Sequence, residues 1–133
     1  MDTFEIRTTA HSCAVDITDH VAARLREKSA SGICLIYVPH TTAGLTINEG
    51  ADPSVMDDVL KTLDTLVPWR GTYKHTEGNS AAHIKAILTG GSVQVIVDSG
   101  KPVLGTWESI FLLEFDGPRT RKVFVQFVNG KAG

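Results

Sequence analysis

Cysteine is scarce in this sequence: Cys13 and Cys34 are the only two. Both lie in apolar, strand-like stretches, Cys13-Ala-Val and Ile33-Cys-Leu-Ile. That context reads as two buried free thiols rather than a disulfide staple. Neither sign of charge dominates. Thirteen Lys and Arg stand against 15 Asp and Glu, for a formal net charge of -2 and a pI of about 6.2. A general nucleic-acid surface is not expected, because binding to phosphate backbones rests on clustered Lys and Arg. A local basic pocket is compatible with the same balance. No apolar run approaches the roughly 20 residues that a membrane-spanning helix needs. The opening Met-Asp-Thr-Phe-Glu has neither the basic nor the apolar region of a secretory leader. A cytoplasmic protein with no membrane partner is the expectation. Repeats, low-complexity tracts and linkers are missing too.

What is present is ordinary globular composition, with 42% hydrophobic and 21% charged residues in 133. That length suits one domain over residues 1–133, with enough chain to bury a core. Phe4 to Thr9 alternates as a strand does, and Cys13 to Ile17 reads as its partner. Thr18 to Ser31 reads as a helix, with Thr18 or Asp19 as cap and Gly32 as its stop. Ile33 to Val38 is near-continuously apolar, as a strand buried on both faces would be. Pro39 ends it, and Ala43 to Asn48 is a weaker strand. Asp52-Pro53 starts a second helix with the apolar stripe Val55, Met56, Val59, Leu60 and Leu63. Asn79 or Ser80 caps a third, which runs to about Leu88 and stops at Gly90-Gly91. Strands follow at Ser92–Val97, Thr106–Phe115 and Val123–Val128, with turns at 98–102 and 116–118. Asn129 to Gly133 reads as a short loose tail. Late, long β-runs fit an α+β fold better than a regular βαβ fold.

The chemistry concentrates in two segments. His40 follows directly after a strand and opens His40-Thr41-Thr42-Ala43-Gly44. A side chain at a strand end, held by a rigid sheet and facing a loop, is well placed for catalysis. A hydrogen-bonded turn histidine explains the position equally well. Tyr73 to Lys85 is denser in functional residue types than any other stretch. His75 lies before the third helix, and His83 lies one turn inside it on the side of Asn79. The competing explanation for His83 is a buried helix histidine bonded to a carbonyl. His11 and His20 go to surface or packing. Together His40, His75 and His83 would make a three-histidine site for a divalent metal, zinc or magnesium, with an open position. Their spacing lacks the force of an HExxH pattern. Glu49 or Glu77 would then be the general base. Without metal, the same histidines are acid–base groups or phosphate donors. A later cluster holds Trp107, Glu108, Arg119 and Arg121. The arginines suit a phosphate clamp and Lys85 adds charge, while a solvated turn is the plainer reading of both arginines. Trp107 suits stacking on a flat ring, or simple burial.

These motifs form a pattern. His40-Thr-Thr-Ala-Gly-Leu-Thr-Ile-Asn-Glu49, Asp52-Pro53, His75-Thr-Glu-Gly-Asn-Ser-Ala-Ala-His83-Ile-Lys85, Leu104-Gly-Thr-Trp107 and Glu114-Phe-Asp-Gly-Pro-Arg119 resemble the YjbQ-like family, also called the secondary thiamine-phosphate synthases. The match runs in order over nearly the whole chain. Glu108 stands where Gln is expected in many members. The resemblance implies a compact domain with a mostly antiparallel, β-sandwich-like sheet and about three helices, assembled as a homotrimer. It implies a weak or side transferase activity that joins hydroxymethylpyrimidine diphosphate to a thiazole phosphate and releases pyrophosphate. It strengthens His40, Asn79 and His83 as catalytic candidates, with Glu49 beside them. Thr41, Lys85, Trp107, Arg119 and Arg121 become the candidate contacts to a phosphorylated small-molecule substrate. Two rivals stand beside this reading: a metal-dependent hydrolase of a phosphorylated small molecule, and a non-enzymatic trimer that binds an anionic metabolite.

Overall fold

The structure is a computed structural model and describes residues 1–130. The tail expected at Asn129 to Gly133 therefore lies mostly outside the described residues. Eight strands and three helices are described, in the order β1 (Asp2–Arg7), β2 (Cys13–Asp16), α1 (Thr18–Arg26), β3 (Gly32–Tyr37), β4 (Ala43–Glu49), α2 (Pro53–Leu66), α3 (Ser80–Thr89), β5 (Ser92–Asp98), β6 (Lys101–Pro102), β7 (Glu108–Glu114) and β8 (Thr120–Asn129). The strands form two antiparallel sheets, ordered β1-β8-β3-β5-β6 and β2-β7-β4. The fold is α+β, as the late β-runs suggested.

Side-chain parity explains the layering. On β7, Ile110 and Leu112 face one way and join Cys34, Ile36, Val95, Val123 and Val125 of the large sheet in the main core. Phe111 and Leu113 face the other way, into a second cluster with Met56 of α2 and Ala82 and Ala86 of α3. The small sheet is thus covered on both faces, by the large sheet and by α2 with α3. Among the described residues the outer face of the large sheet has no such cover. Ile33 is 47%, Ile96 64% and Val128 55% exposed. This corrects the reading of Ile33 to Val38 as buried on both faces: only Cys34, Ile36 and Val38 are buried.

Other local expectations also change. β1 and β2 do not pair with each other; β1 lies on β8 and β2 on β7. Alternation reports a half-buried strand but not its partner, which is set by tertiary packing. Helix α1 ends at Arg26, well before Ser31. Its start is held from outside the helix, where the Thr18 N–H and hydroxyl both donate to Asp16 Oδ1 at 3.0 and 2.6 Å. Helix α2 starts as read, with Asp52 Oδ1 accepting from the Ser54 N–H at 3.0 Å. The Asn79 side chain does not cap α3. Cys34 is buried, and burial with Asp2 nearby pushes its thiol up to about 11. Cys13 is only half-buried. Among the described residues no helix is long and apolar enough to cross a membrane.

Candidate functional site

The site begins where β3 runs out. β3 pairs with β8 as far as Tyr37 opposite Phe124. Continuing that register sets Lys122 opposite Pro39, which has turned away and offers no strand partner. The His40 ring fills the gap: the Lys122 N–H donates to His40 Nε2 at 2.8 Å. A backbone donor that would otherwise lack a partner is satisfied by a side chain. His40 is held below the ordinary 6.5, first by burial and then by the nearby Arg121 charge, against the pull of Glu114.

Helix α3 closes the same corner. Its small residues Ala81, Ala82 and Ala86 are buried, so it lies close against β4 and the second cluster. At its end the Gly90 carbonyl accepts from the Leu45 N–H and the Gly91 carbonyl from the Val38 N–H, both at 2.9 Å. One carbonyl serves each sheet. A cavity of about 410 Å³ results, lined by His40 and Thr41 from the β3–β4 loop and by His83 and Ile87 from α3. His83 also lines a second cavity of about 490 Å³, with Thr72, Tyr73, Lys74, His75 and Ser80. The rings of His75 and His83 meet edge to face, their centroids 5.3 Å apart. His40, Thr41, His75 and His83 are thus brought to one side of α3, with His83 between the two cavities.

Other candidates are placed elsewhere. Glu49 is at the far end of β4, six residues and about 20 Å of strand from Ala43. Its carboxylate accepts from the Ala51 N–H at 3.0 Å, and it lines a separate cleft with Asp16, Asp57 and Phe111. Trp107 is at that end too, 65% exposed, with its carbonyl accepting from the Gly50 N–H at 2.8 Å. Glu108 closes the turn before β7 by accepting from the Gly105 N–H at 2.8 Å. Lys85 is 2% exposed and its ammonium is paired with Asp64 of α2, so it is no phosphate contact in either cavity. The Arg119 side chain donates to the Asp116 carbonyl and carboxylate at 2.7 and 2.8 Å. Arg121 is buried, with its guanidinium on Glu114 and on the carbonyl and hydroxyl of Thr42. Neither arginine forms the expected open clamp. Glu77 is exposed in the turn before α3. Asn79 is 7% exposed, donates to Asp116 Oδ2 at 2.9 Å, and its Oδ1 is buried without a partner among the described residues.

A three-histidine metal site is not assembled: among the described residues no three His, Cys, Asp or Glu side chains are grouped to hold an ion. The His40 lone pair at Nε2 is already taken by Lys122. Sequence reasoning missed three features. Lys74 lines the larger cavity. His11, set aside earlier, lies 3.9 Å from Asp116 and meets the Trp69 ring at 4.4 Å. Fully buried Glu114 accepts from Arg121 and from the Thr8 hydroxyl, the latter at 2.7 Å. A signal for that pair was present, because Arg121, Val123 and Val125 share one parity on β8 and the valines are core.

Relatives agree with this architecture. The family model described as UPF0047 protein YjbQ-like matches residues 2–130. The chain belongs to the YjbQ-like UPF0047 family. A UPF0047 protein of Methanocaldococcus jannaschii is 49% identical over 129 residues, covering 96% of this chain and 94% of that one. The UPF0047 protein YugU of Bacillus subtilis is 48% identical, covering 96% and 98%. A crystal structure of a yjbq/upf0047 family protein from Clostridium acetobutylicum superposes with a TM-score of 0.94 at 48% identity, covering 96% of this chain and all of the other. The YjbQ-like fold thus extends over nearly every element that borders the two cavities.

Proposed function

We propose that the cleft divided by His83 binds a phosphorylated small molecule and carries a weak transferase activity of the thiamine-phosphate synthase kind. The observation behind this reading is that His83 lines two adjacent cavities, one with His40 and Thr41, the other with Lys74, His75 and Ser80. Two cavities suit two substrates, the hydroxymethylpyrimidine diphosphate and the thiazole phosphate. In that reaction the carbon–oxygen bond to the diphosphate breaks, and pyrophosphate leaves with the electron pair. The thiazole nitrogen forms the new carbon–nitrogen bond. Charge on the departing oxygens needs cations or oriented N–H groups. Lys74, His75 and the first turn of α3 at Ser80 supply them in place of Arg119, Arg121 and Lys85. The Tyr73 ring replaces Trp107 as the surface for the pyrimidine. His83 is the candidate proton donor, and His40 takes part by hydrogen bonding. Asn79 acts at one remove by holding Asp116, and Glu49 has no part.

The residues do not fit a resident zinc held by three histidines. A magnesium ion that arrives on the diphosphate is part of the substrate and needs no protein cage. We also propose a homotrimer, in which the exposed row of Ile96, Ile33 and Val128 is covered by neighbouring copies. A cytoplasmic location is proposed on the same footing. The test is purified protein with both substrates and magnesium, followed for pyrophosphate release. Product that disappears in His83→Ala, with folding intact, supports the reading. No product at any magnesium concentration rejects it.

A further inference from the structure

Two consecutive residues of β8 hold the His40–Thr42 segment. The Lys122 N–H donates to His40 Nε2 at 2.8 Å. The Arg121 guanidinium donates to the Thr42 carbonyl at 3.1 Å and to its hydroxyl at 2.8 Å. Arg121 is in turn fixed by buried Glu114, which also accepts from the Thr8 hydroxyl and the Asp116 N–H. A backbone N–H has no lone pair to offer. A neutral imidazole that accepts from it at Nε2 must therefore carry its own proton at Nδ1. Among the described residues Nδ1 has no hydrogen-bond partner, and His40 lines the cavity shared with His83.

We propose that the β8 clamp locks His40 as the Nδ1–H tautomer and so presents the cavity with an obligate hydrogen-bond donor for a phosphate or pyrophosphate oxygen. Arg121 is the positioning residue. It never meets the ligand, but it holds Thr42 and hence the ring two residues earlier in register with Lys122. His40 recognises an oxyanion and does not ligate a metal, because a metal would need the lone pair that Lys122 occupies. The ligand class rests on the proposed reading of the cleft, whereas the tautomer does not.

Side-chain ¹⁵N spectra of the full-length, uniformly labelled protein at neutral pH test each part, with His40→Gln identifying the His40 signals. The expected pattern is a protonated Nδ1 and a lone-pair Nε2 for His40. A protonated Nε2, or an average of both tautomers, overturns the proposal. Thr42→Val and the conservative Arg121→Lys should shift His40 toward that average, while Thr42→Ser, which restores the acceptor, should not. An unchanged tautomer in both folded variants overturns the positioning role. Should Arg121→Lys fail to fold, Thr42→Val against Thr42→Ser decides the same point. Titration with inorganic pyrophosphate should move the His40 Nδ1–H signal saturably. No movement overturns the oxyanion assignment, whatever the outcome of the synthase assay.

Discussion

Glu114 illustrates the residue scale. It is fully buried yet surrounded by donors: Arg121, the Thr8 hydroxyl and the Asp116 N–H. Burial pushes its carboxyl up, and these donors more than offset that, leaving it below the ordinary 4.5. Its contribution to stability is therefore complete above pH 4.5 and lost as the pH falls through the lower folded value. Glu114→Ala leaves Arg121 buried and unpaired, and should cost about 3–5 kcal/mol in urea unfolding. Replacing the pair together, Glu114→Leu with Arg121→Met, should recover much of that loss. His40 adds a second acid-sensitive group. Its folded value lies below 6.5, so the unfolded chain takes up the proton first and stability falls as the pH drops below 6.5. In His40→Gln the loss over that window should shrink, as seen in melting temperatures between pH 7 and pH 5. An equal loss in both proteins would mean that His40 titrates alike in the two states.

The meeting of α3 with β4 decides the geometry at the element scale. Gly44 permits it: a Cβ there would stand 2.2 Å from Thr89 Oγ1 and 3.0 Å from the Gly90 carbonyl. Thr89 cannot easily move aside, because its hydroxyl is bonded to the Lys85 carbonyl at 3.0 Å. Gly44→Ala should destabilise by about 1–3 kcal/mol, with part restored on adding Thr89→Ala. Unchanged urea midpoints for Gly44→Ala would show that α3 has room to shift. Elements with strong local signals were legible here. The Asp52-Pro53 start of α2 and the Gly90-Gly91 stop of α3 depend on side chains and backbone freedom within a few residues. The end of α1 and the partners of β1 and β2 were not legible, because the competing arrangements differ only in contacts with distant strands.

At the scale of the whole molecule, the large sheet has one face in the core and one that no described residue covers. The bare face carries an apolar row across three strands, with Ile33 opposite Ile96 on one side and Val128 on the other. Helix α3, which packs on the small sheet and not on this face, separately exposes Ile87 at 79% and Leu88 at 61%. Ile33→Lys leaves the core face of β3 intact, so the monomer should fold while the proposed trimer dissociates. Light scattering coupled to size exclusion measures that mass. A wild-type protein of monomer mass would reject the trimer, and a trimeric Ile33→Lys would move the interface elsewhere.

Local pattern and composition determined the α+β class, most element positions and the two segments rich in chemistry, because alternation, capping and proline breaks act over a few residues. Only the tertiary structure decided which candidates share a place. His40, Thr41, His75 and His83 converge on one side of α3, while Glu49 and Trp107 sit at the far end of β4 and Lys85 turns into an ion pair. It also turned Arg121 from a surface clamp into a buried support for Thr42. Sequence spacing carries no record of such convergence. It arises from strand register and from the burial of particular faces, which are settled only when every element packs at once.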